Sequence, residues 1–173
     1  MISSMDDVPR YCAACGGPLQ QQRRSSAPSR FVCSACQRIT YRNPVVGVAV
    51  VIAEKDRLLL GRRARGPYAG RWCIPCGYVE WDEDVRAAAR REMHEETGLE
   101  VEIGEVCAVH SNFHDRARQT VGIWFWGAVC GGALQPTDDL DALAYYPFGA
   151  HPRLAFPTDE LVLASLCNQR RRG

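Results

Sequence analysis

The chain has 173 residues, 46% of them apolar, and a formal net charge of +1 at pH 7. This length fits one ordinary domain with a small appendage, and the composition excludes a chain too polar to build a core. No apolar run approaches membrane-spanning length, and the first residues lack the basic and apolar regions of a signal peptide. We therefore expect a cytoplasmic protein with no membrane partner.

Two Cys-x2-Cys pairs mark the N-terminal segment. Cys12 and Cys15 are separated from Cys33 and Cys36 by 17 residues, a spacing typical of a tetrathiolate zinc site. Disulfides or free thiols are the alternative, which a reducing compartment disfavours. Zinc would also supply folding free energy, on the order of 10–16 kcal/mol, to a segment with few large apolar side chains. A third pair, Cys73-Ile74-Pro75-Cys76, is interpreted as structural rather than redox-active.

Charge is distributed unevenly along the chain. No acidic residue lies between Val8 and Ala53, a segment with six arginines, whereas Glu80 to Glu105 is strongly acidic. This asymmetry indicates two units of different chemistry. We predict a disordered lead over residues 1–10, a small zinc ribbon over 11–42 and a second domain over 43–173.

Strand and helix patterns alternate beyond the ribbon. Strands are predicted at Val45–Ala53, Arg57–Gly61, Trp72–Ile74, Tyr78–Glu80, Glu100–Ile103, Val106–Ser111, Thr120–Val129 and Ala142–Tyr146. One helix is predicted from Asp82, as its N-cap, to Gly98, and another over Leu161–Asn168 with Thr158 as its cap. Strands interleaved with helices indicate an α/β fold, and the continuous apolar character of Thr120–Val129 favours a central strand.

The first predicted helix carries Glu92, Glu95 and Glu96 at positions i, i+3 and i+4, and therefore on one face. A helical wheel places Glu92 and Glu96 inward with Val85, Ala88, Ala89 and Leu99, and places Arg86, Arg90, His94 and Thr97 on the opposite side. A carboxylate that is buried on this inward face without a partner would destabilise the fold by roughly several kcal/mol, because it loses its hydration. A hard divalent cation, Mg²⁺ or Mn²⁺, is the simplest partner, and a solvated acidic face is the disfavoured alternative.

The segment that contains this helix resembles the signature box of the Nudix hydrolases, Gly-x5-Glu-x7-Arg-Glu-U-x-Glu-Glu-x-Gly-U, in which U is apolar. The matching residues are Gly77, Glu83, Arg91, Glu92, Met93, Glu95, Glu96, Gly98 and Leu99. The resemblance implies an α/β/α sandwich with a mixed sheet over roughly residues 44–168. It also implies hydrolysis of the diphosphate bond in a nucleoside diphosphate linked to another moiety, X.

The box also implies roles for individual residues. Its catalytic and metal-binding positions are Glu83, Arg91, Glu92, Glu95 and Glu96, with the Gly77 carbonyl as a further ligand of Mg²⁺ or Mn²⁺. One of the three helix glutamates would accept a proton from water, and Gly77 would shape the loop. Arg91 would orient the glutamates, and its i,i+4 spacing favours pairing with Glu95. Many family members use a further acid downstream, for which Asp138, Asp139 and Asp141 are the candidates.

Substrate contacts are predicted on the segment that precedes the box. Arg62, Arg63 and Arg65 are expected where substrate phosphates would lie, with a solvated basic loop as the alternative. Three aromatic residues, Phe113, Trp124 and Trp126, would suit stacking against a base, but we favour core packing for them.

A zinc ribbon followed by a Nudix box resembles two groups. The NADH pyrophosphatases, some of which remove NAD caps from RNA, carry a Ser-Gln-Pro-Trp-Pro-Phe-Pro run that this chain lacks. The second group is the shorter ribbon-bearing Nudix proteins, which include plant chloroplast enzymes that cleave FAD and ADP-ribose. The runs Tyr41–Pro44 and Leu154–Phe156 resemble those of this group. ADP-ribose or FAD is therefore the favoured substrate. The alternatives are NADH or NAD-capped RNA, and a non-catalytic module in which the ribbon binds RNA beside a nucleotide-sensing domain. Many relatives are homodimers, so a homodimer is also expected.

Overall fold

A computed structural model describes residues 9–23, 29–115 and 118–170. Most of the lead predicted over 1–10 lies outside these residues. The chain divides into two compact units, Met1–Pro44 and Val45–Gly173. In the described part of the chain, no helix is both long and apolar enough to cross a membrane.

The first unit is a small antiparallel sheet beside two cysteine-bearing turns. Its strands are β1 (Leu19–Gln22), β2 (Arg30–Cys33) and β3 (Ile39–Thr40), in the spatial order β1-β2-β3. The first Cys-x2-Cys pair precedes β1, and the second starts at Cys33, the last residue of β2, and continues into the turn that follows. This arrangement brings the two pairs together although 17 residues separate them in the sequence.

The second unit is built on a mixed sheet. Its strands are β4 (Val45–Glu54), β5 (Arg57–Arg63), β6 (Trp72–Cys73), β7 (Cys76–Tyr78), β8 (Leu99–Asn112), β9 (Thr120–Gly132) and β10 (Leu140–Pro147). The main order is β10-β5-β4-β9-β8, and β6 and β7 pair with β5 and β4 respectively. Only the β4–β9 pairing among these strands is parallel. Strand β9 is internal, as its apolar sequence predicts.

Two helices, α1 (Val85–Thr97) and α2 (Pro157–Arg170), cover opposite faces of this sheet. Alternate residues of β4 and β5 divide between them, as the two-residue period of a strand requires. The face toward α2 packs Ala49, Val51, Leu58 and Leu60 with Val162, Leu163 and Leu166. The face toward α1 packs Val48, Val50, Ile52 and Leu59 with Ala88, Ala89 and Met93. The predicted α/β sandwich with a mixed sheet is confirmed.

Several predicted element boundaries were wrong for local reasons. Helix α1 is capped by Asp84, whose carboxylate accepts from the N–H groups of Arg86 and Ala87, and Asp82 lies in the preceding turn at φ +62°. Helix α2 starts at Pro157, a residue suited to the first helical position, so Thr158 is inside it and is not its cap. The two strands predicted over 100–111 form one strand, β8, because bulges keep it paired with β9.

The end of α1 is as predicted, since Gly98 adopts φ +70° and its N–H donates to His94 O. Two of the side chains expected to face solvent from this helix are covered instead. Thr97 is fully buried and its hydroxyl donates to Met93 O. The Arg86 guanidinium lies 5.0 Å from the centroid of the Phe125 ring and donates to Ile103 O. Helix α1 therefore packs on protein over a wider arc than the wheel assumes.

Candidate active site

Helix α1 turns two of its glutamates into the protein. Glu96 is 3% exposed, and its Oε2 accepts from the backbone N–H of Cys76 on β7 at 2.9 Å. The side chain of Glu92 is 16% exposed, whereas that of Glu95 is 46% exposed. The three carboxylates predicted to share one face therefore form a graded set that runs from the interior to the surface.

Burial raises the pKa of the two glutamates that face the interior. Desolvation raises the pKa of Glu96 to about 8, although the hydrogen bond from Cys76 opposes the shift. Desolvation also raises the pKa of Glu92, and the Arg91 guanidinium opposes that shift. Without a cation, neutral Glu96 is the favoured form at pH 7. An oxygen-only donor set that needs positive charge to ionise fits a hard divalent cation such as Mg²⁺ or Mn²⁺.

Arg91 is the hub of the carboxylate cluster. Its Nε and Nη2 donate to the two oxygens of Glu83, each at 2.8 Å. Its Nη1 donates to Glu92 Oε1 at 2.8 Å and to Glu95 Oε2 at 2.9 Å, which includes the pairing predicted from i,i+4 spacing. Nη2 also donates to Tyr78 O on β7 at 3.0 Å. One guanidinium thus fixes three carboxylates relative to one strand.

Glu83 is held differently from the helix glutamates. Both of its oxygens face Arg91, and Oε2 also accepts from the N–H of Glu80 at 3.0 Å. The hydrogen bonds from Arg91 lower the pKa of Glu83 to about 2. Glu83 does not line the cavity described next, although Glu80 does. Glu80 is a residue that the box match did not single out.

Gly77 lies on β7 in close contact with Glu92. A Cβ atom at this position would lie 1.9 Å from the Glu92 carboxyl carbon. The prediction that this glycine shapes a loop is therefore wrong, because it is a strand residue that needs no left-handed backbone. Its missing side chain leaves room for the Glu92 carboxylate to approach the strand.

A cavity of about 530 Å³ lies beside this cluster. Glu92, Glu95, Glu96, Arg91 and Gly77 line it. Its volume is within the range of sites that bind small molecules. The structure therefore brings most of the predicted catalytic residues to one concave surface.

The three arginines predicted to meet phosphates divide into two classes. Arg63 lines the cavity, with a side chain that is 17% exposed and a long contact of 3.5 Å to Asp139 Oδ2. Arg62 and Arg65 are not among the described residues that line it. Arg62 instead pairs with Asp141 at 2.7 Å, and Arg65 pairs with Asp138 and Asp139.

The same contacts change the interpretation of the three aspartates. Asp138 and Asp139 line the cavity, but each is bound to an arginine. Asp141 pairs with Arg62 and does not belong to the cavity lining. In the sequence, the arginine segment 62–65 and the aspartate segment 138–141 are far apart and were given separate roles. The pairing of β10 with β5 places the two segments side by side.

Several cavity residues were not predicted as site residues, although one of them belongs to the run Leu154–Phe156. They are Tyr68, His114, Arg118, Phe156 and Asp159, which come from segments far apart in the chain. Asp159 is fully covered, and its carboxylate accepts from Ile74 N and Trp124 Nε1, each at 3.2 Å. Burial raises the pKa of Asp159 to about 7. Arg118 lies 5.8 Å from the Tyr78 ring centroid, so it adds a cation to the cavity.

The predicted aromatic residues behave unequally. Trp124 is 5% exposed and Trp126 packs against the same apolar cluster, which confirms core packing for both. Phe113 is 65% exposed, so core packing was wrong there, and it is also absent from the cavity lining.

The four ribbon cysteines form a compact thiol cluster. Their sulfur atoms all lie within 4.8 Å of one another, with Cys12–Cys36 at 3.8 Å and Cys15–Cys33 at 3.5 Å. Tetrahedral zinc with Zn–S bonds of about 2.3 Å sets its sulfurs about 3.8 Å apart, so the cluster fits the ion. The N–H of Cys36 donates to Cys33 Sγ at 3.5 Å and lowers the pKa of Cys33. Although a backbone hydrogen bond from Gly17 opposes the shift, the neighbouring thiols raise the pKa of Cys15, so the free thiols do not all favour the thiolate that zinc binds.

Comparisons with known proteins agree with this geometry. Residues 42–165 match the NUDIX domain family, and residues 10–42 match the zinc-ribbon family described as Nudix N-terminal. An ADP-ribose pyrophosphatase of Methanocaldococcus jannaschii is 32% identical over 123 residues, which are 70% of this chain and 73% of that protein. A human 8-oxo-dGDP phosphatase is 31% identical over 131 residues, which are 73% of this chain and 39% of that protein.

A solved structure extends the match to both units. The NUDIX hydrolase from Nitrosomonas europaea superposes with a TM-score of 0.81 at 28% identity, covering 95% of this chain and 94% of that one. The match therefore includes both the unit that holds the glutamates and Arg91 and the unit that holds the thiol cluster. The chain belongs to the Nudix hydrolase family and carries the zinc ribbon that family models describe at its N-terminus.

Proposed function

We propose that the chain hydrolyses the diphosphate bond of a nucleoside diphosphate linked to X, with Mg²⁺ or Mn²⁺, and that ADP-ribose or FAD is its substrate. The observation that carries this proposal is the convergence of Glu92, Glu95, Glu96 and Arg91 on one cavity. The ADP-ribose pyrophosphatase among the relatives supports ADP-ribose.

Each residue has a distinct part in this reaction. A bound divalent cation would neutralise the clustered phosphate charge and lower the pKa of bound water. Glu92, Glu95, Glu96 and the Gly77 carbonyl would hold it, and one of the glutamates would take the proton of the attacking water. Arg91 positions Glu92 and Glu95, with Glu83 holding Arg91 in turn, and the Cys76 N–H positions Glu96. In this proposal Glu83 reaches a metal only through water.

Arg63 is the arginine that we assign to the substrate phosphates. It lines the cavity, and its contact with Asp139 is weak at 3.5 Å, so exchange of that partner for a phosphate costs little. Arg62 and Arg65 are removed from this role because neither lines the cavity and each has a close aspartate partner, Asp141 for Arg62 at 2.7 Å and Asp139 for Arg65 at 2.6 Å.

A substrate panel with phosphate and mononucleotide readout tests the proposal. ADP-ribose, FAD, NADH and NAD-capped RNA should be compared in the presence of Mg²⁺ and Mn²⁺. Glu95→Gln and Glu96→Gln should each lower kcat by orders of magnitude, about 10²–10³-fold, while far-ultraviolet circular dichroism stays unchanged. Glu105→Gln is the matched control, since Glu105 is exposed and lies outside the cavity lining. Normal rates in both active-site variants would refute the assignment.

The ribbon supports a second candidate function, binding of RNA. The Arg30 guanidinium lies 5.8 Å from the ring centroid of Tyr41, which is 60% exposed, and the described ribbon is free of acidic residues. Exposed aromatic rings beside arginine suit single-stranded nucleic acid. A gel shift with RNA should weaken in Tyr41→Ala and Arg30→Ala, and equal shifts in all three proteins would exclude ribbon-dependent binding.

Assembly and location complete the proposal. We propose that the protein is cytoplasmic, as the sequence predicts, and a homodimer, as its resemblance to Nudix proteins implies. Light scattering on the purified protein tests the dimer, and a molar mass equal to the 19.3 kDa chain would exclude it.

A further inference from the structure

Three aromatic side chains meet on the lining of the candidate active-site cavity. Tyr68 comes from the loop after β5, His114 from the segment after β8, and Phe156 from the residue before α2. Their ring centroids lie 5.5 Å apart for Tyr68–His114 and for Tyr68–Phe156, and 5.7 Å apart for His114–Phe156. We call this group the aromatic wall.

The aromatic wall is not part of the two main apolar clusters that hold the sheet and its helices together. Tyr68 and Phe156 are only partly buried, against a small cluster of their own, and His114 is exposed. Burial in the core therefore does not account for three rings from three segments meeting at this place. Aromatic side chains that line an open cavity are typical of sites that bind a largely apolar or planar ligand.

Two arginines pack on the rings of the wall. Arg63 lies 5.6 Å from the Phe156 ring centroid, and Arg71 lies 5.6 Å from that of Tyr68. These cation–π contacts hold the rings in place and put positive charge beside them. Arg63 is also the arginine that we assign to phosphate. A ligand that places a phosphate at Arg63 therefore has its next chemical group within reach of Phe156.

We propose that the aromatic wall binds the nucleobase of the substrate by stacking and edge contacts, and so selects nucleotides over ring-free phosphates. The inference rests on the proposed function for the position of the diphosphate, beside Glu92 and Glu96. It adds that the substrate carries a planar aromatic ring, which lies on the side of Arg63 that faces Phe156. Tyr68, His114 and Phe156 come from three separate segments of the chain, so no sequence motif predicts this shared role.

Two ligands that differ only in the base test the wall. AMP and ribose 5-phosphate share the sugar and the phosphate, and each should be titrated calorimetrically into the full chain. Tyr68→Leu and Phe156→Leu keep apolar volume but remove the ring, and His114→Ala changes an exposed residue whose loss cannot disturb the core. Phe113→Leu is the matched control, since this exposed ring lies outside the cavity lining.

Stacking of one base on an aromatic side chain predicts a rise of about tenfold in the Kd of AMP for Tyr68→Leu and Phe156→Leu. The rise should be smaller for His114→Ala and absent for Phe113→Leu, and the Kd of ribose 5-phosphate should stay constant throughout. Equal affinity of the unmodified protein for the two ligands would overturn the proposal. An unchanged Kd for AMP in all three wall variants, or an equal rise for both ligands, would also overturn it.

This titration separates the wall from the proposed reaction. Neither ligand contains a diphosphate bond, so binding is measured without turnover. Base-dependent AMP binding in a protein that cleaves no member of the substrate panel would refute the proposed function and leave the wall in place. Cleavage of ADP-ribose with base-independent AMP binding would refute the wall alone.

Discussion

The thiol cluster of the ribbon and the carboxylate cluster of α1 are both suited to a cation, but the protein supports them differently. Among the described residues of the first unit, the buried side chains are Cys12 and Cys33, so the ligands themselves are its core. Glu92 and Glu96 instead belong to a helix whose apolar side is already packed on the sheet, and Arg91 supplies a protein cation. We therefore expect the first cluster to need a metal to fold and the second to need one to react.

Removal of zinc should have the largest effect and should be confined to the ribbon. Cys33→Ser deletes a ligand at the centre of that unit, so most of the metal-linked folding free energy, on the order of 10 kcal/mol, is lost there. We expect about one zinc per chain in the unmodified protein and none in the variant. Amide hydrogen exchange should become fast over residues 29–42 and stay slow over β4 and β9.

Cys130→Ser is the control for this experiment, because Cys130 is exposed and lies outside the thiol cluster. It should retain both zinc and protection from exchange. Slow exchange of the ribbon amides in zinc-free protein would contradict the claim that the cysteines are the core of the first unit.

The carboxylate cluster should show its dependence on a cation through pH. Glu96 has a pKa of about 8 in the folded protein, against an ordinary value of 4.5, so the native state holds a proton that the unfolded state has released between these values. Without a divalent cation, the free energy of unfolding should therefore fall as pH rises from 4.5 to 8, by roughly 3–5 kcal/mol. Asp159 adds a shift of the same sign up to a pH of about 7.

Urea unfolding at pH 5 and pH 8 in chelator-treated buffer measures this fall. Glu96→Gln keeps an acceptor for the Cys76 N–H but has no proton to lose, so its pH dependence should be smaller by the Glu96 share. Saturating Mg²⁺ should recover stability at pH 8 and have little effect at pH 5. An equal slope in the two proteins would show that Glu96 is not the group that titrates.

Removal of Arg91 should have an intermediate effect. Arg91→Ala leaves Glu83, Glu92 and Glu95 together without their shared cation, which for fully buried pairs costs about 3–5 kcal/mol. The Arg91 side chain is 30% exposed, so we expect about 2–3 kcal/mol in thermal or urea unfolding. Arg90→Ala, at an exposed position on the same helix, should change stability by less than about 0.5 kcal/mol.

A divalent cation should reduce the loss in Arg91→Ala, since it provides the positive charge that the variant lacks. No such recovery, together with normal recovery in the unmodified protein, would mean that Arg91 is required to place the ligands and does not merely neutralise them. Either result separates the arginine hub from the thiol cluster, which has no protein cation among its described contacts.

Local patterns predicted these two clusters well, because each is set by short-range spacing. The 3.6-residue period of a helix puts Glu92 and Glu96 on one side whatever the rest of the chain does, and a Cys-x2-Cys turn brings two sulfurs to one point. Gly98 ends α1 for an equally local reason, its left-handed backbone. Asp84 replaced Asp82 as the cap because both residues suit that position and only the turn geometry decides between them.

The contacts that could not be predicted from the sequence depend on the pairing of distant strands. Arg62 and Asp141 lie 79 residues apart, and they meet because β10 pairs with β5. Tyr68, His114 and Phe156 likewise share a cavity only after three segments have been placed around the sheet. No spacing rule links such residues. Arg62, which was predicted to contact substrate phosphates, is instead an ion-pair partner of Asp141, and three rings from separate segments form the candidate base site.

The smallest effect should come from Arg62. Its pair with Asp141 is short at 2.7 Å, but the two side chains are 42% and 45% exposed, and such pairs contribute about 0.2–1 kcal/mol. Arg62→Ala should therefore lower stability by less than about 1 kcal/mol and leave the KM for ADP-ribose within about twofold. Arg63→Ala should raise KM about tenfold, as loss of one charge-assisted phosphate contact predicts. Steady-state kinetics on both variants measures the difference. A tenfold rise in KM for Arg62→Ala would place substrate phosphates on the exposed side of β5, outside the cavity that holds the carboxylates.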